Sequence, residues 1–255
     1  MGSSPVSFFN EYIYNSTKDR NINPYIFKSL IAQESGFDPK ARNNGGFAGL
    51  TQVGGAAITT AGFNIGNTKK VNNKWEYDLT GDERFIPQKS IEGGAKVFAA
   101  KMKSVNTLVF KNYTTPLPDE EEIKFYLAAY NGGEGTVQKA YKACGVVNAK
   151  WEDLIKGKET SGLWAAIPES WDRESKYKEI TQYVSDIIAR ATQDNSAGSP
   201  APAPTAQSSQ NQTSLFNSTE LKKGNFDDIA VAKYSSKNPY QTGYVQGKKI
   251  EQLQK

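Results

Sequence analysis

The sequence predicts a mainly α domain with a loop-built cleft over residues 1–192, a Pro/Ala/Ser-rich linker over 193–214 and a short C-terminal tail over 215–255. Three observations carry that expectation. Apolar residues recur at helical spacing in several segments before residue 193. Between the first two of these lies a Gly-rich stretch, "NNGGFAGLTQVGGAA", where the backbone can come close to a ligand. Composition then changes sharply to "TQDNSAGSPAPAPTAQSSQNQTS" (192–214), which has almost no hydrophobic side chains and reads as an extended linker. The remaining residues, 215–255, contain few aliphatics and are too short to bury a sizeable core alone. They are expected to be disordered or to dock on a partner.

The helices follow in order. Asn23-Pro24 supplies an N-cap and a proline at the first helical position, and Ser35-Gly36 supplies a stop. "PQKSIEGGAKVFAAKMKSV" is a second helix and "PDEEEIKFYLAAYNGG" a third. Asp119 is a candidate cap for the third, whose acidic first turn suits the helix dipole and is expected to be solvated. "GGEG" (132–135) is expected to terminate it, and "GTVQKAYKAC" and "ESKYKEITQYVSDIIARAT" complete the set.

Composition excludes several chemistries. There is no histidine, which removes Ser-His-Asp and Cys-His catalysis and His-based metal sites. One cysteine, Cys144, excludes an intramolecular disulfide and a multi-cysteine zinc site. Neither a metal nor a cofactor is expected. A net charge of +4 suits an anionic surface such as a cell wall and falls short of a nucleic-acid binder's basic patch. No stretch reaches transmembrane length, and the first twenty residues lack the charged and apolar regions of a secretory leader.

One residue looks misplaced. In "IFKSLIAQESG" (26–36), Ile26, Phe27, Leu30 and Ile31 span an arc of about 140° at ~100° per residue. Glu34 falls at about 80°, inside that arc, although burying a carboxylate is costly.

The residues around Glu34 supply a reason. "ESGFDPKARNNGGFAGLTQV" resembles the signature of the lysozyme-like soluble lytic transglycosylase (SLT) family: Glu-Ser, an Asn/Asp-Pro turn, then Gly-x-x-Gly-Leu-x-Gln. The 18 positions from Glu34 to Gln52 (52 − 34) match that family's usual spacing. "AAYNGGEG" (128–135) is similar to its Ala-Tyr-Asn-x-Gly motif, and "EITQYVSDII" (179–188) to its last motif, a Glu followed four places later by Tyr-Val. The resemblance departs at two places. Asn43 stands where the family usually has Ser, and Thr51 where it usually has Met.

The resemblance implies a lysozyme-like fold and a peptidoglycan substrate, cut at the β-1,4 bond between N-acetylmuramic acid and N-acetylglucosamine to leave 1,6-anhydro ends. Glu34 would be general acid and then base, with a pKa raised by apolar neighbours. No second carboxylate would be needed, because the substrate's 2-acetamido group and C6 hydroxyl replace the usual partner. Tyr183 would orient Glu34 or the oxazolinium-like intermediate, or else be a core tyrosine. Gln52 and Asn131 would hold acetamido and hydroxyl groups, with a loop-stabilising amide as the other reading of Gln52. Tyr130 would pack beneath the catalytic helix or border the substrate. Asn43 would still donate toward the sugar, and Thr51 would form a smaller, more polar wall. The aromatics Trp75, Tyr77, Trp164 and Trp171 read as packing residues or sugar platforms.

Two alternatives stay open: a hydrolytic muramidase on the same fold, and a non-catalytic wall-binding or structural protein. The expected partner is the glycan strand, without nucleic acid or membrane insertion. Action at the wall or periplasm would follow delivery by a bacteriophage virion, a holin or specialised secretion, with 215–255 docking on a virion or secretion-apparatus protein.

Overall fold

The computed structural model describes residues 7–197, with side chains over 9–193. The chain is mainly helical, as expected. In order come α1 (Ser7–Thr17), α2 (Pro24–Ser35), α3 (Ala57–Ala61), β1 (Lys69–Val71), β2 (Lys74–Glu76), α4 (Pro87–Leu108), α5 (Asp119–Gly132), α6 (Glu134–Cys144), α7 (Trp151–Ile155), α8 (Gly162–Ala166) and α9 (Arg173–Ala197). The expected linker and tail lie outside the described residues, except that α9 continues through 193–197. No helix among the described residues is long and apolar enough to cross a membrane.

The described residues form two compact units, one of 7–97 with 189–197 and the other Phe98–Ile188. The first is built around α2. Asn23 Oδ1 accepts from the N–H groups of Tyr25 and Ile26, Pro24 occupies the first turn, and Gly36 ends the helix in the left-handed conformation. Both ends fall where the sequence signals place them. The helix is not one-sided, however. Ten of its twelve residues are buried, including Lys28, Ser29, Gln33 and Ser35, so it is a central helix enclosed nearly all round. Ile13, Leu50 and Ile91 join Ile26, Phe27, Leu30 and Ile31 in this core. Polar groups on α2 find partners inside: Arg190 donates to the Ser29 carbonyl (2.8 Å) and to Gln33 Oε1 (3.0 Å).

Helix α1, the short helix α3 and the β1–β2 hairpin of the first unit were not anticipated. Helix α1 buries Phe9 and Ile13, one turn apart. The β1–β2 hairpin pairs Lys69 with Glu76 and Val71 with Lys74, leaving a two-residue turn at Asn72-Asn73. Both turn residues have positive φ (47° and 63°), the geometry of a tight hairpin turn that asparagine tolerates.

In the second unit, α5 buries Phe125 through Ala129. Phe110, Phe125 and Trp151 pack edge to face around it. Asp119 is not the cap. Pro118 holds the N-cap position without a side-chain bond and Asp119 is the first helical residue. The acidic turn is also less solvated than expected: Glu121 pairs with Lys124 and accepts the Trp151 N–H, while the Tyr126 hydroxyl lies 2.8 Å from Glu122 Oε2. Gly133 closes α5 and opens α6 directly.

Candidate active site

In the first unit, Glu34 stands on the last turn of α2. It and Ala32 are the only residues of that helix outside the buried class. Its neighbours on the helix surface by spacing, Leu30 and Ile31, have no exposure at all. Glu34 therefore follows directly on buried apolar residues, at the point where an otherwise enclosed helix reaches the surface.

The chain then turns at Asp38-Pro39, with Asp38 Oδ1 accepting from Lys40 N–H, and enters the Gly-rich loop. Residues 41–53 fold back on themselves through bridges pairing Arg42 with Ala48 and Ala48 with Val53. Asn43 organises this loop locally: its Oδ1 accepts the N–H groups of Gly45 (2.8 Å) and Phe47 (3.2 Å), and its carbonyl takes the Tyr77 hydroxyl. Gly49, at φ +79°, lies so close to the Arg84 carbonyl that a Cβ would sit 1.9 Å from its oxygen, so no other residue fits there.

Gln52 has a positive φ of 46°, a strained state for a non-glycine residue. Its amide nitrogen donates to the carbonyls of Ala41 (3.1 Å) and Gly49 (2.8 Å). Both donors are thus spent on the loop, leaving Oε1 as the atom it can turn to a ligand. Thr51 is fully buried, donates to the Ser90 carbonyl (3.0 Å) and packs on Gly94. Its influence on a substrate therefore passes through the loop it supports.

Beneath the loop is an ion pair that the sequence reading missed. Arg84 and Asp82 are buried and joined at 2.6 Å. The other guanidinium nitrogen, Nη1, donates to the carbonyls of Gly46 (2.7 Å) and Val53 (2.9 Å), and the group lies over the Tyr77 ring. Thr68 donates to the same Asp82 oxygen, Oδ2 (2.8 Å). Nothing local in "GDERF" marks these two as interior, because the carbonyls that Arg84 reaches are 31 and 38 positions away.

The second unit brings the other two motifs together. Asn131, in the last turn of α5, donates through Nδ2 to Glu179 Oε1 (3.0 Å), and its Oδ1 accepts from Lys176 Nζ (3.4 Å). Lys176 and Glu179 are themselves paired at 2.8 Å. Glu179 opens the last motif and Tyr183, one turn further on α9, is buried. Tyr130 is half-buried and meets Phe98 edge-on. Glu134, just past the glycines, is desolvated, yet its bond to the Lys101 ammonium prevails and holds its pKa below the usual glutamate value.

The family model described as "Transglycosylase SLT domain" matches residues 11–150, more than half of the 255. The match takes in Glu34, the Gly-rich loop and Asn131, and ends before Glu179 and Tyr183.

Proposed function

The chain belongs to the transglycosylase SLT domain family, whose members cleave peptidoglycan in the manner of lytic transglycosylases, and from that premise we propose that Glu34 is its single catalytic carboxyl. The observation carrying this reading is that α2 is enclosed except at Ala32 and Glu34. A general acid for glycosidic cleavage must keep its proton near neutral pH yet remain reachable. Apolar enclosure on one side and access on the other meet both needs.

Glu34 protonates the oxygen bridging N-acetylmuramic acid and N-acetylglucosamine. The substrate's own acetamido group stabilises the cationic centre as the bond breaks. Glu34, now ionised, removes the proton from the C6 hydroxyl, which closes onto C1 as a 1,6-anhydro ring. No water is consumed, and the intramolecular attack gains from its high effective concentration. Gln52 Oε1 receives a sugar N–H or hydroxyl. Asn131 and Tyr183 take the roles their motifs carry, holding substituents and orienting the intermediate. Asn43 acts chiefly through the shape it gives the loop.

Glu34→Gln tests this directly. Turnover of purified walls is expected to fall by at least about 10²–10⁴-fold at an unchanged melting temperature. Clearing at the parent's rate would remove Glu34 from the mechanism. Mass spectrometry of the products distinguishes anhydro ends, expected here, from the reducing ends of a muramidase. We also propose that 215–255 docks the enzyme on the virion or apparatus that brings it to the wall. Its deletion should spare clearing of purified walls and abolish that association.

A further inference from the structure

We propose that Phe47 is a sugar-stacking residue, its exposed ring face receiving the apolar face of an N-acetylhexosamine of the glycan strand; this rests on the peptidoglycan reading above. Single exposed hydrophobic residues are ordinary on protein surfaces, so exposure alone, here 43%, says little. What sets Phe47 apart is how firmly it is held. Its N–H donates to Asn43 Oδ1 (3.2 Å), and its carbonyl accepts from Asn43 N–H (3.0 Å) and lies 3.3 Å from the Tyr77 hydroxyl.

The ring rests on two glycines. A Cβ added at Gly45 would stand 3.1 Å from its Cδ2, and one at Gly54 would stand 2.9 Å from its Cδ1. Bare backbone therefore lies close to both the Cδ1 and the Cδ2 side of the ring, which restricts its orientations before any ligand arrives. A pre-set aromatic loses little freedom on binding. Its electron-rich face attracts the weakly positive C–H groups of a pyranose.

The neighbouring aromatics are otherwise engaged. Trp75 lies across Gly46, where a Cβ would meet the indole at 2.5 Å, and Tyr77 packs against Phe85 beneath the Arg84 guanidinium. Phe47 is the aromatic of this loop in the exposed class, and it lies five positions before Gln52 on the same loop. One polar contact from Gln52 Oε1 and one apolar contact from Phe47 would together recognise a ring that is polar at its edge and apolar on its face.

The test separates binding from turnover by using full-length Glu34→Gln as the parent. A soluble β-1,4-linked N-acetylglucosamine oligosaccharide and undigested glycan strands are titrated by calorimetry. Phe47→Ala is expected to weaken binding about tenfold, as loss of one buried ring face implies, and Phe47→Trp to stay near the parent. Phe47→Leu keeps an apolar group on the glycine seat but has no π face. Weakened binding by Phe47→Leu at an unchanged melting temperature supports stacking. Parent-like binding by Phe47→Ala or Phe47→Leu overturns it. If the parent itself binds neither ligand, the peptidoglycan reading falls and takes this one with it.

Discussion

Gln52 in the first unit and Asn131 in the second are both primary amides at motif positions, yet the protein fixes them by different means. Gln52 donates to two main-chain carbonyls of its own loop, and that loop is pinned from below by a buried guanidinium. Asn131 is held by the charged ends of Lys176 and Glu179, which are partly open to solvent. Carbonyls neither titrate nor attract counter-ions. A half-exposed ion pair does attract them, and its hold weakens as salt rises. The first arrangement is therefore rigid and insensitive to conditions, and the second is adjustable.

The largest test of that contrast is Arg84→Ala. It leaves the Asp82 carboxylate buried without its partner and orphans two loop carbonyls. A loss of about 3–5 kcal/mol is expected in chemical denaturation. Arg84→Lys should rescue little, because a single ammonium cannot reproduce the fork. Next is Gln52→Ala, which removes two bonds from a strained turn and should cost about 1–3 kcal/mol along with most wall clearing. An unaltered stability would mean the amide serves only the substrate.

Smaller effects are expected on the other side of the comparison. Lys176→Met should change stability by less than about 1 kcal/mol. It should raise KM more than it lowers kcat, and its difference from the parent should shrink in about 0.5 M salt. A salt-independent difference would make the second arrangement as rigid as the first. The smallest effect concerns Asp78, whose carboxylate accepts from Asn67, Gly81 and Thr80, which hold its pKa well below the usual aspartate range. A lowered pKa gives stability that is complete above about pH 4, the unfolded-chain value. That stability is lost as pH falls toward the lower folded value. The melting temperature of the parent should therefore decline more steeply below pH 4 than that of Asp78→Ala, and parallel curves would remove Asp78 from the acid response.

What the sequence disclosed follows the range of the forces involved. The ends of α2 were legible because Asn23, Pro24 and Gly36 act within one turn of themselves. The enclosure of α2 was not, since nothing near Gln33 in the sequence shows that its side chain meets Arg190, 157 positions away, which also donates to the Ser29 main-chain carbonyl. The hairpin did leave a signal in Asn72-Asn73, which the prevailing helical pattern obscured. Among the candidate site residues, motif spacing pointed to Gln52 and Asn131, but no spacing could say that one would be bonded to carbonyls and the other to charges. Thr51 read as a cleft wall and lies beneath the loop, its hydroxyl drawn to a carbonyl 39 positions on.

The reach of Arg84 across 38 positions also has a bearing on the order of events as the polypeptide emerges and folds. Residues 41–54 can draw their ends together early, since closing a short segment costs little entropy. Their carbonyls at Gly46 and Val53 nevertheless stay hydrated until the stretch around residue 84 arrives and docks. Maturation of the loop thus waits on a later portion of the chain. A substitution at Arg84 should accordingly hasten unfolding more than it slows the initial collapse.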